Sequence, residues 1–504
     1  MLQIETEGNL VTGYLIGRRG VKFGCVLILL TFYAAVCSAA AAPSRIPPEK
    51  MKEYSDLAVN WMQQYLRIDT TNPPGNEMRA VAFYKKILDA EGIENRVFEY
   101  TPERGDLWAR LPASANENPR VSQKAGDTGH PRPIVLLNHM DVVTSDASHW
   151  RVPPFSGEIK DGYIWGRGAQ DMKDEGLAQL VVMVMLKREK VALDRDVIFL
   201  AVSDEEVDGG GSDWFIEHQR DLLESAEFLI NEGGENLLEN GKVKYIGVDV
   251  GEKTSYWLHV VAHGRPGHGS RPNPDSAPVR LVRALNKIIA YKTPLRVLPV
   301  VEEFLRDMAP TEPPQEAVYY RNVRKAIEDQ NFQEEVERDE SLNFLLRDTI
   351  SLTMLGGSGQ TNVIPPEAWA NLDVRILPGG DPKAVVEALR KVVNDPNVTI
   401  EPLEREFRIA NYSGTDNALY AAIRQVSGEY FPGTPVVPHI TSGYTENQRY
   451  RPLGIIAYGF NPYTATDEEG NTEHGNDERI RVEEVRRGPG ILFEVVTQVA
   501  GKSR

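Results

Sequence analysis

Three short apolar runs in this chain each end in residues that can bind metal or move protons. Pro133-Ile134-Val135-Leu136-Leu137 leads into Asn138-His139-Met140-Asp141. Val197 to Val202 leads into Ser203-Asp204-Glu205-Glu206, and Phe228-Leu229-Ile230 into Asn231-Glu232-Gly233-Gly234. A fourth acid, Asp171, follows the tight-turn sequence Gly166-Arg167-Gly168-Ala169-Gln170. Any one of these acids alone reads as a solvated loop residue. A histidine recurring with several acids at such positions points instead to a metal centre. Imidazole and carboxylate suit zinc, and also cobalt or manganese. Two such ions about 3.5–4 Å apart can polarise a carbonyl and bring the pKa of a shared water to about 7. The adjacent pair Glu205-Glu206 fits a division of labour, because neighbouring side chains near a strand end point to opposite sides. One carboxylate can hold metal while the other shuttles a proton. The same pair also reads as the acidic cap of a helix starting near Gly211.

These residues need a frame that brings them to one edge. Near-continuous apolar runs of this length are typical of strands buried on both faces of a sheet. The stretches 175–188 and 212–224 read as helices, as do Ser55–Leu66 and Met78–Glu91, so the pattern is alternating α/β. In an open α/β sheet, ligands collect at the C-terminal ends of the strands. From about Tyr256 the character changes. Trp257–Ala262, Thr349–Met354 and Ala368–Val374 read as strands, and Ala277–Ala290 and Pro382–Val393 as helices. The charged stretch 291–348 reads as largely helical. That is an α+β domain inserted into the first. Residues 406–504 resume helix, strand and helix at 417–427, 454–459 and 482–500. The polar stretch 113–132 reads as an exposed loop.

Composition narrows the function. Lys and Arg number 56 against 73 Asp and Glu, a net charge of −17. Neutralising phosphates needs clustered cations, so nucleic acid is excluded as a partner. The only two cysteines are Cys25 and Cys37, both in the N-terminal apolar segment. A metal in the remainder must therefore be held by His, Asp and Glu. Gly209-Gly210-Gly211-Ser212 lacks the Lys-Ser/Thr of a phosphate loop and reads as a turn. His130, His149 and His218 carry no assigned role, and His259, His263 and His439 read as structural.

His139-Met140-Asp141-Val142-Val143, Gly166-Arg167-Gly168 with Asp171-Met172-Lys173, and Asp204-Glu205-Glu206 resemble one known family. In order and spacing they are similar to the aminoacylase, carboxypeptidase G and succinyl-diaminopimelate desuccinylase family of two-zinc metallopeptidases. The resemblance runs from about residue 50 to the C-terminus. It implies a zinc-exopeptidase-like catalytic domain with a mixed sheet flanked by helices, interrupted by a ferredoxin-like lid that often dimerises. The implied boundaries are 43–253 and 406–504 for the catalytic domain and 254–405 for the lid. It implies two zinc ions, one held by His139 and Glu232 and the other by Glu206 and His474, with Asp171 bridging. Asp141 would orient the His139 ring, and Glu205 would be the general base.

His268, in Gly264-Arg265-Pro266-Gly267-His268-Gly269-Ser270, resembles a lid histidine that stabilises the tetrahedral oxyanion, commonly in the partner subunit's site. Asn362 and Arg375 resemble the family's substrate-binding pair, and an Arg can grip a carboxylate bidentately. The stretch Ser442 to Arg449 departs from the Gly-Thr-Asp-x-Arg of many members, so no side-chain specificity carries over. The long insert 291–348 resembles the larger aminoacylase and carboxypeptidase-S-like branch. The expected function is hydrolysis of amide bonds in small peptides, with N-acyl-amino-acid deacylation as the alternative. A non-catalytic binding protein on the same fold is the remote one.

Arg18, Arg19 and Lys22 precede the apolar run Phe23 to Val36, and small residues follow through Ala42. This is the pattern of a signal peptide over 1–42, short for a membrane span, so the protein is expected to be exported to the periplasm or beyond. An uncleaved membrane anchor is the alternative. N-terminal sequencing of the protein from expressing cells should start between Ser38 and Pro43. A membrane-bound chain that retains the apolar run contradicts this.

Overall fold

The computed structural model describes residues 46–114, 131–223, 226–403, 410–441 and 443–502. The expected signal peptide, His130 and most of the loop expected at 113–132 lie outside the described residues. Twelve strands organise the two principal sheets. They are β1 Glu94–Thr101, β2 Arg104–Leu111, β3 Ile134–His139, β4 Val197–Val202, β5 Phe228–Asn231 and β6 Ile246–Glu252. Then follow β7 Thr254–His263, β8 Thr349–Gly356, β9 Glu367–Ile376, β10 Val398–Pro402, β11 Val436–Thr441 and β12 Ile456–Gly459.

The larger sheet has eight strands in the order β1-β2-β4-β3-β5-β12-β6-β11. Its centre, β4-β3-β5-β12, is parallel, while the hairpin β1-β2 joins β4 antiparallel. Every residue of β3 and β4 is buried, as the apolar runs require. Alternation sends successive side chains to opposite faces. Ile134 and Leu136 join the core under the helices Pro48–Leu66, Lys173–Arg188 and Val482–Ala500. Val135 and Leu137 join a second core with Trp108, Phe215 and Tyr450. The sheet is therefore covered on both sides, and only its edges and strand ends reach solvent. Among the described residues no helix is long and apolar enough to cross a membrane.

The smaller sheet is antiparallel, in the order β8-β9-β7-β10. The helix Ala277–Ala290 lies between β7 and β8 in the chain, and Pro382–Val393 between β9 and β10. The resulting β-α-β-β-α-β succession is the ferredoxin-like arrangement. It has its own core, including Leu258, Leu281, Leu372 and Leu389. The stretch 291–348 behaves differently. Its apolar side chains, Val301, Leu305, Phe332 and Leu346 among them, belong to the core of the larger sheet. Its helix Pro299–Met308 packs on β11.

Strands β1, β2, β6, β10 and β11 were not legible as strands. β1 is a charged edge strand without a clean alternation, and β6, Ile246-Gly247-Val248-Asp249-Val250-Gly251-Glu252, mixes glycines and acids. Phe332 tests the packing of the helical insert. It is fully buried, so Phe332→Ala should cost about 3–5 kcal/mol. Urea unfolding followed by tryptophan fluorescence should show a lower midpoint, and an unchanged midpoint would contradict the shared core.

Candidate active site

Parallel strands bring the acids and histidines together. β3 ends on His139, the turn after β4 carries Glu205 and Glu206, and Glu232 follows β5. Because these strands are adjacent and parallel, their C-terminal ends open on one edge of the sheet. His139 Nε2 lies 3.0 Å from Asp171 Oδ1 and 3.2 Å from Glu232 Oε2. His474 Nε2 lies 2.7 Å from Asp171 Oδ2 and 3.2 Å from Glu206 Oε2. Asp171 thus stands between the two imidazoles, one carboxylate oxygen toward each. Potential ligand atoms of His139, Glu205 and Glu232 lie within 4.8 Å of one another, as do those of His139, Asp171 and Glu206.

The helix-cap reading of Glu205-Glu206 does not hold. Asp204 takes that place, its Oδ2 accepting from Gly210 N at 3.2 Å where the helix begins. Asp141 ties the cluster's backbone together. Its Oδ1 and Oδ2 accept from Glu205 N and Glu206 N, each at 3.1 Å. Asn72 Nδ2 donates to Asp141 Oδ2 at 2.9 Å, and the His139 ring lies 3.6 Å from Asp141 Oδ1.

A second buried acid, Glu478, pins the other two loops. It accepts from Arg167 Nη1 at 2.6 Å, Gly168 N at 3.0 Å and Gln170 N at 2.7 Å. Arg167 also donates to Gly475 O at 2.6 Å. Asp171 and His474 are therefore carried by loops locked to each other. Nothing marks Glu478 in advance beyond its place in the acidic stretch around His474.

The electrostatics show a surplus of negative charge. Burial, and then the charge of Glu232, pushes the Glu205 carboxyl well above its ordinary range. Burial and Asp171 push Glu206 up to about 7, and burial and Asp171 push Glu473 up to about 8. Burial works against Asp171 too, yet the rings of His139 and His474 hold its carboxyl below the usual range. Hydrogen bonds to Asp171 and Glu206 push His474 up to about 11. Glu232 Oε1 is buried with no protein partner among the described residues. Crowded carboxylates, imidazole nitrogens and an orphaned buried oxygen are the donor set that divalent cations satisfy.

Other expected residues are placed differently. Arg375, on β9, lines the same cavity, paired through Nε with Asp373 Oδ1 at 2.8 Å. His268 and Asn362 do not line it. They meet each other on a small exposed ribbon, where Gly269 N donates to Asn362 O at 2.7 Å and His268 pairs with Val363. His268 Nδ1 accepts from Ser270 N at 3.1 Å. Within one chain, the ribbon is not part of the acidic cluster. Glu175, Glu446 and Glu473 act electrostatically on the cluster and were not singled out from sequence.

An α/β body with a metal-competent acid–imidazole cluster at its strand ends, plus a ferredoxin-like insert, defines a class of metallohydrolase. The model of peptidase family M20/M25/M40 matches residues 135–498, and the chain belongs to that family of amide- and peptide-bond hydrolases. Human aminoacylase-1 is 27% identical over 457 residues, 90% of this chain and 97% of the relative. The M20 family metallo-carboxypeptidase Sso-CP2 from Sulfolobus solfataricus shares the fold with TM-score 0.61 and 18% identity, over 87% of this chain and 98% of that one. So does the Bacillus subtilis YXEP protein, described as a dinuclear metal binding peptidase, with TM-score 0.56 and 12% identity over 89% and 98%.

Asp171 offers the sharpest test of the cluster. Elemental analysis of the protein dialysed against a divalent metal should give about two ions per chain. Asp171→Ala should hold one or none. A full complement in that variant contradicts a bridging Asp171.

Proposed function

We propose that this protein is an exported dipeptidase or oligopeptidase of carboxypeptidase type, dependent on two zinc ions, that cleaves an amide bond beside a free carboxylate. The observation that carries this reading is the unequal environment of the adjacent acids. Glu206 is engaged by Val143 N at 3.1 Å and faces His474. Glu205 is half-buried near His139 and Glu232, yet its carboxyl has no protein hydrogen bond among the described residues. One acid is placed as a ligand and the other is left to exchange a proton.

In this reading His139 and Glu232 would hold one ion and Glu206 and His474 the other, with Asp171 shared between them. Zinc suits this donor set, with cobalt or manganese as substitutes. When bound, the ions supply Lewis acidity that polarises the scissile carbonyl and acidifies the attacking water. Glu205 takes the proton from that water and returns it to the leaving nitrogen. Its raised affinity for a proton suits both halves of the task. Asp141 fixes the backbone of the Glu205-Glu206 turn, so the base keeps its position as it gains and loses charge. Arg375 binds the substrate carboxylate. His268 and Asn362, remote from their own chain's cluster, act in the site of a partner subunit in a homodimer formed through the insert. There His268 donates to the oxyanion. The leader-like N-terminus supports export.

Human aminoacylase-1, similar along nearly its whole length, favours a second reading with the same machinery. In it the substrate is an N-acyl amino acid. A hydrolysis screen of dipeptides, C-terminally blocked peptides and N-acyl amino acids separates the two. Equal cleavage of blocked and free carboxylates would remove the role given to Arg375. Glu205→Gln should keep fold and metal content and lose roughly 10²–10⁴-fold in kcat, the usual share of general acid–base catalysis. Near-normal turnover would overturn the assignment.

A further inference from the structure

The cluster opens into a cavity of about 1580 Å³. Ordinary small-molecule pockets occupy roughly 300–1,000 Å³. There is room for more than the two residues that flank one amide bond. His439 lies on the wall of this cavity and has no part in the chemistry described above. The sequence marked it as structural.

Its surroundings are built. β11 and β6 pair in register, so His439 stands directly opposite Asp249. Nδ1 lies 2.6 Å from Asp249 Oδ1. The other oxygen of this buried carboxylate accepts from Gly234 N at 2.8 Å, so Asp249 cannot swing away. The ring of Phe304, from the helix Pro299–Met308, packs 5.8 Å from the imidazole. Two strands, a turn and a helix fix the ring, yet Nε2 has no protein partner among the described residues. A fully buried structural imidazole usually spends both nitrogens on the protein. This one spends a single nitrogen, and its side chain keeps 19% of its surface accessible.

The carboxylate on Nδ1 makes that nitrogen the donor on its side. Burial pulls the His439 pKa down, but the Asp249 charge more than offsets it, so the ring is pushed above its ordinary value. The Asp249 carboxylate at 2.6 Å favours the imidazolium form, which offers an N–H at Nε2. The ligand atom is then an acceptor. Asp249 and Glu235 both act on this ring, and two acids disfavour a second carboxylate there. A neutral carbonyl oxygen meets both requirements. Gly234 is two residues beyond Glu232, and Glu205, Glu232 and His439 line the one cavity, so a carbonyl on this ring belongs to the same bound substrate as the scissile bond.

Resting on the amidohydrolase reading above, we propose that His439, oriented by Asp249, is a substrate-binding residue whose Nε2 donates to an amide carbonyl flanking the scissile bond. The site then selects substrates that carry a second amide on the acyl side, acylated dipeptides and longer peptides, over single N-acyl amino acids.

The test compares N-acetyl-alanyl-leucine with N-acetyl-leucine. Both release leucine, and they differ by one flanking amide. The metal-loaded parent should prefer the first. His439→Phe keeps a ring against Phe304 and removes Nε2. It should lower the ratio of the two kcat/KM values about tenfold, mainly through KM for the longer substrate, as for loss of one charge-assisted hydrogen bond. Asp249→Asn loosens the same ring and should lower the ratio by a smaller factor, about threefold. It tests the same point should His439→Phe fail to fold. A ratio within twofold of the parent in a folded variant overturns the inference, as does an equal loss on both substrates. A parent that cleaves neither substrate overturns the amidohydrolase reading and this inference with it. A parent that cleaves both while the ratio stays fixed overturns this inference alone.

Discussion

Carboxylates crowded at the end of a parallel sheet are the constraint on which the rest of this molecule turns. Asp171, Glu206 and Glu232 sit within hydrogen-bond distance of two imidazoles, and half-buried Glu205 lies beside them. At an effective dielectric of about 20, two unit charges about 4 Å apart repel by roughly 4 kcal/mol. A few such pairs rival the whole stability of a domain, roughly 5–15 kcal/mol. No protein gathers them without compensation. Here one response is a raised affinity for protons at Glu205, Glu206 and Glu232. Divalent ions would supply the rest.

The scaffold can be understood as the means of holding that arrangement. Parallel strands buried on both faces bring three chain segments to one edge without exposing unpaired backbone. Two buried acids then lock the loops. Asp141 joins the His139 strand end to the Glu205-Glu206 turn, and Glu478 joins the Asp171 loop to the His474 loop. Neither acts alone, since Asn72 and Arg167 bind them in turn. The helical stretch 291–348 adds a wall to the cavity while sharing the core of the larger sheet. Its Phe304 fixes the ring of His439, which links the insert to the substrate space.

Much of this was legible in the sequence, for physical reasons that differ from residue to residue. The runs before His139, Glu205 and Glu232 announced themselves because a strand buried on both faces must be apolar at every position. Family resemblance supplied His474, a loop residue at positive φ that no periodicity marks. β6 and β11 stayed hidden because β6 mixes glycines with acids, and with them the pairing of Asp249 and His439 was invisible. That dyad exists only across strands far apart in the chain, so His439 read as structural. Glu478 was hidden for the same reason. The cap ambiguity of Glu205-Glu206 dissolved only when Asp204 was found at the helix start.

Asp171 stands between His139 and His474, where it would bridge two metal ions. A crystal of the zinc-loaded protein, measured on both sides of the zinc absorption edge, tests it most directly. Two anomalous peaks about 3.5–4 Å apart are expected, one beside His139 and Glu232 and one beside Glu206 and His474, with Asp171 reaching both. A single peak, or peaks away from Asp171, would contradict it.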